Sequence, residues 1–121
     1  MTTPSQWIDE AQRRLEVALF LYENGHYPES VSRAFYSLYA AVRGLLLQEG
    51  IETKTHGGVI RMLSMHFVID GRLDKAHLTS YRYTLDRRMT VDYNVGLVSA
   101  EETKKCLDKA DAFLSVAGGL L

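Results

Sequence analysis

The sequence holds one cysteine, Cys106, in 121 residues, so no intrachain disulfide can form and nothing calls for an oxidising compartment. Prolines number two, too few to mark a disordered linker or to interrupt a succession of helices. No apolar run approaches the roughly 20 residues that cross a bilayer, and the opening stretch MTTPSQWIDEAQRR lacks the basic and then apolar segments of a secretion signal. The expectation is a cytoplasmic protein without membrane contact. A dominant charge is missing too: 14 basic against 15 acidic residues leave a formal charge of -1, so any attraction to nucleic acid must come from a local patch. No period-two alternation adjoins a hairpin signal, and no internal repeat is present, which argues against sheets and solenoids. His26, His56, His66 and His77 show no metal-binding spacing, and no phosphate-cradling loop, dinucleotide fingerprint or nucleophile elbow occurs. Neither a metal nor a cofactor is expected.

What is present is helical periodicity. With 46% hydrophobic and 24% charged residues, the chain fits one soluble domain over 1–121 with a single core. Residues 5–24 place Trp7, Ile8, Ala11, Leu15, Ala18, Leu19 and Tyr22 on one face. Val17, Phe20 and Leu21 lie off that stripe and suggest a second packing surface. Gly25 stops this helix, and Pro28 opens a longer one over 28–48 with Val31, Phe35, Leu38, Val42 and Leu45 or Leu46 inward. A shorter helix follows over 58–69, then a fourth over 74–93. The SAEE sequence from Ser99 reads as a capping box for a fifth, whose inner stripe is Thr103, Leu107, Ala110, Phe113 or Leu114, and Ala117. The expected fold class is all-α, an up-and-down bundle of about five helices.

Two helices carry charge where the pattern calls for core. At 100 degrees per residue, Leu78, Tyr81, Leu85, Arg88 and Asp92 fall within about 80 degrees of one another, so Arg88 and Asp92 continue a buried stripe while Arg87 points the other way. On the second long helix Arg33, Tyr36, Ala40 and Arg43 run beside the apolar stripe, with Tyr39 next to Arg43. If these faces meet, they form an Arg/Tyr/Asp pocket in which guanidinium forks suit phosphate and tyrosine rings suit base stacking. The competing reading is a buried ion pair of Arg33 or Arg88 with Asp92 that only holds the bundle together. His56 precedes a Gly-Gly pair at a helix entrance, either as an ordinary cap or beside backbone N–H groups open to an anion. His66 reads as a hydrogen-bonded packing residue.

Three segments, SRAFYSLYAAVRGLLLQEG, ETKTHGGVIRMLSMHFV and LDRRMTVDYN, together resemble the HEPN domain, the helical nucleotide-binding family of higher eukaryotes and prokaryotes, over nearly the whole chain. The resemblance is to the small stand-alone members often encoded beside a minimal nucleotidyltransferase. It implies a helical bundle that forms a homodimer, and in one branch a metal-independent ribonuclease toxin whose arginine, followed four to six residues on by a histidine, meets its counterpart in the dimer cleft. The arginine maps to Arg88, or else Arg87; the histidine's place holds Tyr93 and Asn94, and a tyrosine of ordinary pKa about 10 is a poor proton carrier near neutrality. Three functions follow as expectations. One is a nucleotide- or RNA-binding dimer using Arg33, Tyr36, Arg88, Asp92 and Tyr93, partnered by a nucleotidyltransferase. Another is a ribonuclease in which Arg88 acts with Tyr93 or His56, and the third is a non-catalytic dimerisation scaffold. The resemblance further places Tyr93 near where some members receive AMP from their partner.

Overall fold

The computed structural model describes residues 1–94 and 98–121. Its five α-helices are α1 (Pro4–Glu23), α2 (Tyr27–Gln48), α3 (His56–Leu63), α4 (Ala76–Tyr93) and α5 (Ala100–Gly119). Among the described residues there is no strand, and the all-α bundle expected from periodicity is the one that forms.

Local chemistry sets the boundaries. Thr3 Oγ1 accepts the Gln6 N–H at 3.1 Å while Gln6 Oε1 accepts the Thr3 N–H at 2.8 Å, so α1 starts one residue before expectation, with Pro4 at a position where a missing N–H costs nothing. The anticipated capping box of α5 is present: Ser99 Oγ accepts from Glu102 N at 3.0 Å, and Glu102 Oε1 accepts from Ser99 N at 3.1 Å. Gly25 and Gly50, at φ +79 and +73 degrees, end α1 and α2 in the left-handed region that favours glycine.

The third helix departs from expectation at both ends. It opens at His56 because Thr55 supplies the cap, its Oγ1 accepting the Gly58 N–H at 2.9 Å; the capping role weighed for His56 belongs to Thr55. At the other end Ser64–Val68 widen into a π-helical turn, closed by the Ile69 N–H on the Ser64 carbonyl at 2.9 Å. Wide turns of this kind interrupt a helix without any residue that marks them in sequence.

The core forms around α2, which packs on all four other helices. Its expected stripe of Val31, Phe35, Leu38, Val42, Leu45 and Leu46 is buried throughout, as is the inner face of α5. Two buried hydroxyls fasten α2 to α1, Ser30 Oγ donating to the Ala18 carbonyl and Ser37 Oγ to the Ala11 carbonyl, both at 2.7 Å, which removes the cost of burying them. A Cβ at Gly44 would lie 3.0 Å from the Pro4 carbonyl oxygen and 3.1 Å from Trp7 Cβ, so the start of α1 reaches α2 because position 44 has no side chain. On α1 the expected stripe holds for Ala11, Leu15 and Ala18, but Leu19 is 47% exposed. One residue past Ala18 turns it 100 degrees away from α2, and with Val17 and Phe20 it leaves an apolar flank in water. No helix among the described residues is long and apolar enough to cross a membrane.

Candidate functional site

Along α4 the inward stripe rises out of the core. Tyr81 and Leu85 are buried, the Arg88 side chain is 19% exposed, and the Asp92 side chain is 35% exposed. The expectation that both charges continue a buried stripe is corrected here: Arg88 stays mostly covered, while Asp92, one turn nearer the end of α4, is more open to water. The pairing itself forms, with Arg88 Nε donating to Asp92 Oδ2 at 3.0 Å. Ser32 Oγ of α2 reaches Asp92 Oδ1 at 3.5 Å.

Beneath the Arg88 guanidinium lie two rings of α2, Phe35 at 5.6 Å and Tyr36 at 5.3 Å, and Arg33 sits 5.9 Å from the same Tyr36 ring. Thus α2 and α4 do bring Arg33, Tyr36, Arg88 and Asp92 into one group. Cation–π contact and the Nε bond fix the plane of Arg88. Among the described residues its two Nη atoms take no hydrogen-bond partner, and they are not sealed from solvent. A planar fork held from behind with its tips open is a geometry for a phosphate or carboxylate. Tyr93 stands at the end of α4, 74% exposed, and its ring stacks on none of this group among the described residues.

His56, the first residue of α3, points at the same place from below. Its Nδ1 is 2.8 Å from the Tyr81 hydroxyl, and its ring packs edge-on against Phe35 and Tyr39 at 5.5 and 5.8 Å. Burial, and then the positive charge of Arg88, lower its pKa below the ordinary histidine value, so the imidazole is neutral near pH 7. Burial raises the Tyr81 pKa far above that of free tyrosine, keeping the phenol protonated. Tyr81 was legible only as a stripe residue; nothing local in sequence links it to a histidine 25 positions away.

The neighbouring Arg87 faces α5, as helical geometry required. Its Nη1 donates to Glu102 Oε2 at 2.9 Å, its guanidinium lies 5.7 Å from the Tyr83 ring, and its Nε is buried without a hydrogen-bond partner among the described residues. The other histidines stay apart from the group. The ring of His66 makes no hydrogen bond among the described residues, contrary to its expected role; only its carbonyl does, accepting from Arg72 Nη2 at 2.7 Å. His77 packs on Phe113 at 5.5 Å, and His26 is exposed before α2. Among the described residues no three His, Cys, Asp or Glu side chains gather as a metal set. Cys106 is buried, its thiol pushed up to about 12 by desolvation, which leaves it inert.

A HEPN domain model matches residues 4–120, and the chain belongs to the HEPN family. A UPF0332 protein of Thermotoga maritima is 32% identical over 117 residues, spanning 95% of this chain and 88% of that one. Two proteins of Methanocaldococcus jannaschii, both named as candidate toxins, are 29% and 32% identical, spanning 88% and 89% of this chain and 80% and 74% of their own length. The crystal structures of a Thermus thermophilus protein and of an archaeal HEPN homologue align over the full length of both chains with TM-scores of 0.81 and 0.79 at 19% and 22% identity, which establishes a common fold.

Proposed function

We propose that this chain acts as a homodimer that binds nucleotide or RNA in a groove built on Arg88, and that it works in the cytoplasm beside a minimal nucleotidyltransferase as one half of a toxin–antitoxin-like pair. The observation that carries the reading is the Arg88 guanidinium, held against Phe35, Tyr36 and Asp92 with no hydrogen-bond partner on its Nη atoms among the described residues. Unlike Arg87, whose Nη1 is taken by Glu102, Arg88 spends only its Nε on its carboxylate partner. Arg33 and Tyr36 extend the same surface, and Asp92 orients Arg88 while moderating its charge. The names of the Methanocaldococcus jannaschii relatives support the toxin half of the pairing. The motif arginine's place in the dimer cleft of the family supports the homodimer. Tyr93, exposed at the end of α4, is accessible to a modifying partner; incubation with that nucleotidyltransferase and ATP adds AMP there, which mass spectrometry of the tryptic peptide checks.

A second reading, a metal-independent ribonuclease, is favoured by one observation. His56 lies beside the aromatic platform of Arg88 with its ring fixed by Tyr81, so a proton carrier exists although the family's motif histidine is replaced. In that reading Arg88 stabilises charge on the phosphorane and His56, rather than Tyr93, moves the proton. Expression without the partner followed by RNA integrity analysis separates the two: cleaved RNA that becomes intact in His56→Gln selects the enzyme.

The binding reading is tested by titrating AMP and a short single-stranded RNA into the full chain and into Arg88→Ala, with melting curves and light scattering alongside. The expected result is a dimer whose affinity collapses in the variant while its melting temperature holds. A monomer, or equal loss of binding and of fold, contradicts it.

A further inference from the structure

Arg88 is one end of a longer strip. From it, ring and cation follow one another along α2 and onto α1: Arg88 lies over Phe35, Phe35 stacks nearly parallel on Tyr39 at 6.0 Å and 11 degrees, Tyr39 lies 5.8 Å from the Arg43 guanidinium, and Arg43 covers the Trp7 ring at 4.6 Å. Arg33 and Tyr36 continue it the other way. Arg43 is exposed, Tyr36, Tyr39 and Trp7 are half-buried, Phe35 is fully buried and only backs the strip from inside, and among the described residues neither Arg33 nor Arg43 forms an ion pair. Two isolated guanidiniums resting on rings, with no carboxylate neutralising them, are not required by the bundle. At the Trp7 end the strip opens into a cavity of about 210 Å³ lined by Trp7, Arg43, Leu46, Ile51, Glu52 and Thr53 among others.

We infer that Trp7, Arg43 and Tyr39 form a second nucleotide subsite, and that the ligand of the Arg88 groove is a single-stranded RNA running along α2 rather than a lone nucleotide; this rests on the binding reading above. Rings that accept stacked bases, alternating with cations at backbone spacing, are what single strands require, and they discriminate little between sequences. Ten residues separate Arg33 from Arg43, about 15 Å along the helix, which at about 3.4 Å per stacked nucleotide accommodates about four. Duplex RNA would hide the base faces the rings need. A net charge of -1 gives the chain as a whole no attraction for polyanions, so binding at low salt must come from local patches of this kind.

Trp7 is the sole tryptophan, so its emission reports on the second subsite without labelling. Oligouridylates of two, four and six nucleotides are titrated into the full chain, following Trp7 emission and, separately, the anisotropy of end-labelled RNA. Affinity is expected to rise about tenfold from the dinucleotide to the hexanucleotide, within the range of one added base stack, and only the longer strands quench Trp7. Arg43→Gln removes most of that gain and lowers the salt slope by about 0.7, the share of one phosphate; Arg43→Lys restores the slope but not the stacking gain. Length-independent affinity, or unchanged Trp7 emission while short RNA still binds and Arg88→Ala still weakens that binding, overturns the second subsite and leaves the Arg88 reading standing. Absence of binding at every length overturns both.

Discussion

Arg87 and Arg88 are chain neighbours that lead different lives. Arg87 turns to α5, where Glu102 takes its Nη1 and Tyr83 its face. Arg88 turns to α2, where Asp92 takes only its Nε and aromatic rings support it from behind. One guanidinium is spent on joining two helices; the other is oriented, with its Nη atoms unpartnered among the described residues. Position in the sequence does not separate them, and neither does burial, since both side chains are mostly covered. The inventory of partners does: Arg87 gives an Nη to a carboxylate of another helix, whereas Arg88 keeps both Nη atoms without a partner among the described residues, which is what the proposed ligand role rests on.

Removing each arginine in turn separates their roles. Arg88→Ala lowers RNA affinity about thirtyfold, equivalent to about 2 kcal/mol for a charge-assisted pair, with a melting temperature near that of the parent chain; fluorescence titration and calorimetry measure the two. Arg87→Ala does the reverse, costing at most about 1 kcal/mol of stability because the pair with Glu102 is about one-third exposed, and leaving affinity unchanged. If the two variants behave alike, the distinction between the arginines is wrong. A smaller effect appears in acid. The His56 pKa is lowered in the folded chain, by burial and by Arg88, so as pH falls through the ordinary histidine value of about 6.5 the unfolded chain takes up a proton that the folded chain refuses. Stability is therefore complete above that pH and declines below it. His77, lowered by burial on Phe113, adds to the decline, so His56→Gln reduces the slope of melting temperature against pH without abolishing it. Arg88→Ala raises the His56 pKa read by NMR, whereas Arg87→Ala leaves it in place.

Most of the fold was legible because helices announce themselves locally. The stripes of α2 and α5 and the capping box at Ser99 follow from spacing alone, and the Thr3–Gln6 box carries the same three-residue spacing. Spacing could not show the π-helical turn at Ser64–Val68, since one wide turn leaves Leu63 and Phe67 four apart and equally buried. Nor could it show that Leu19 would face water, because an apolar residue next to a buried stripe looks like part of it. For the site, helical geometry separated Arg87 from Arg88 and put Arg33 and Tyr36 on one face of α2, leaving open whether that face meets α4. It could not reveal Tyr81 beneath His56, Phe35 beneath Arg88, or Trp7 against Arg43. Each of those contacts joins segments distant in the chain, and tertiary packing alone brings them together.

The most direct test follows the two arginine Nε–H resonances of positions 87 and 88 by NMR while single-stranded RNA is added to the full chain. The account requires the Arg88 resonance to shift in proportion to bound ligand while that of Arg87, locked on Glu102, stays still. A stationary Arg88 under saturating RNA, or equal movement of both, would contradict it.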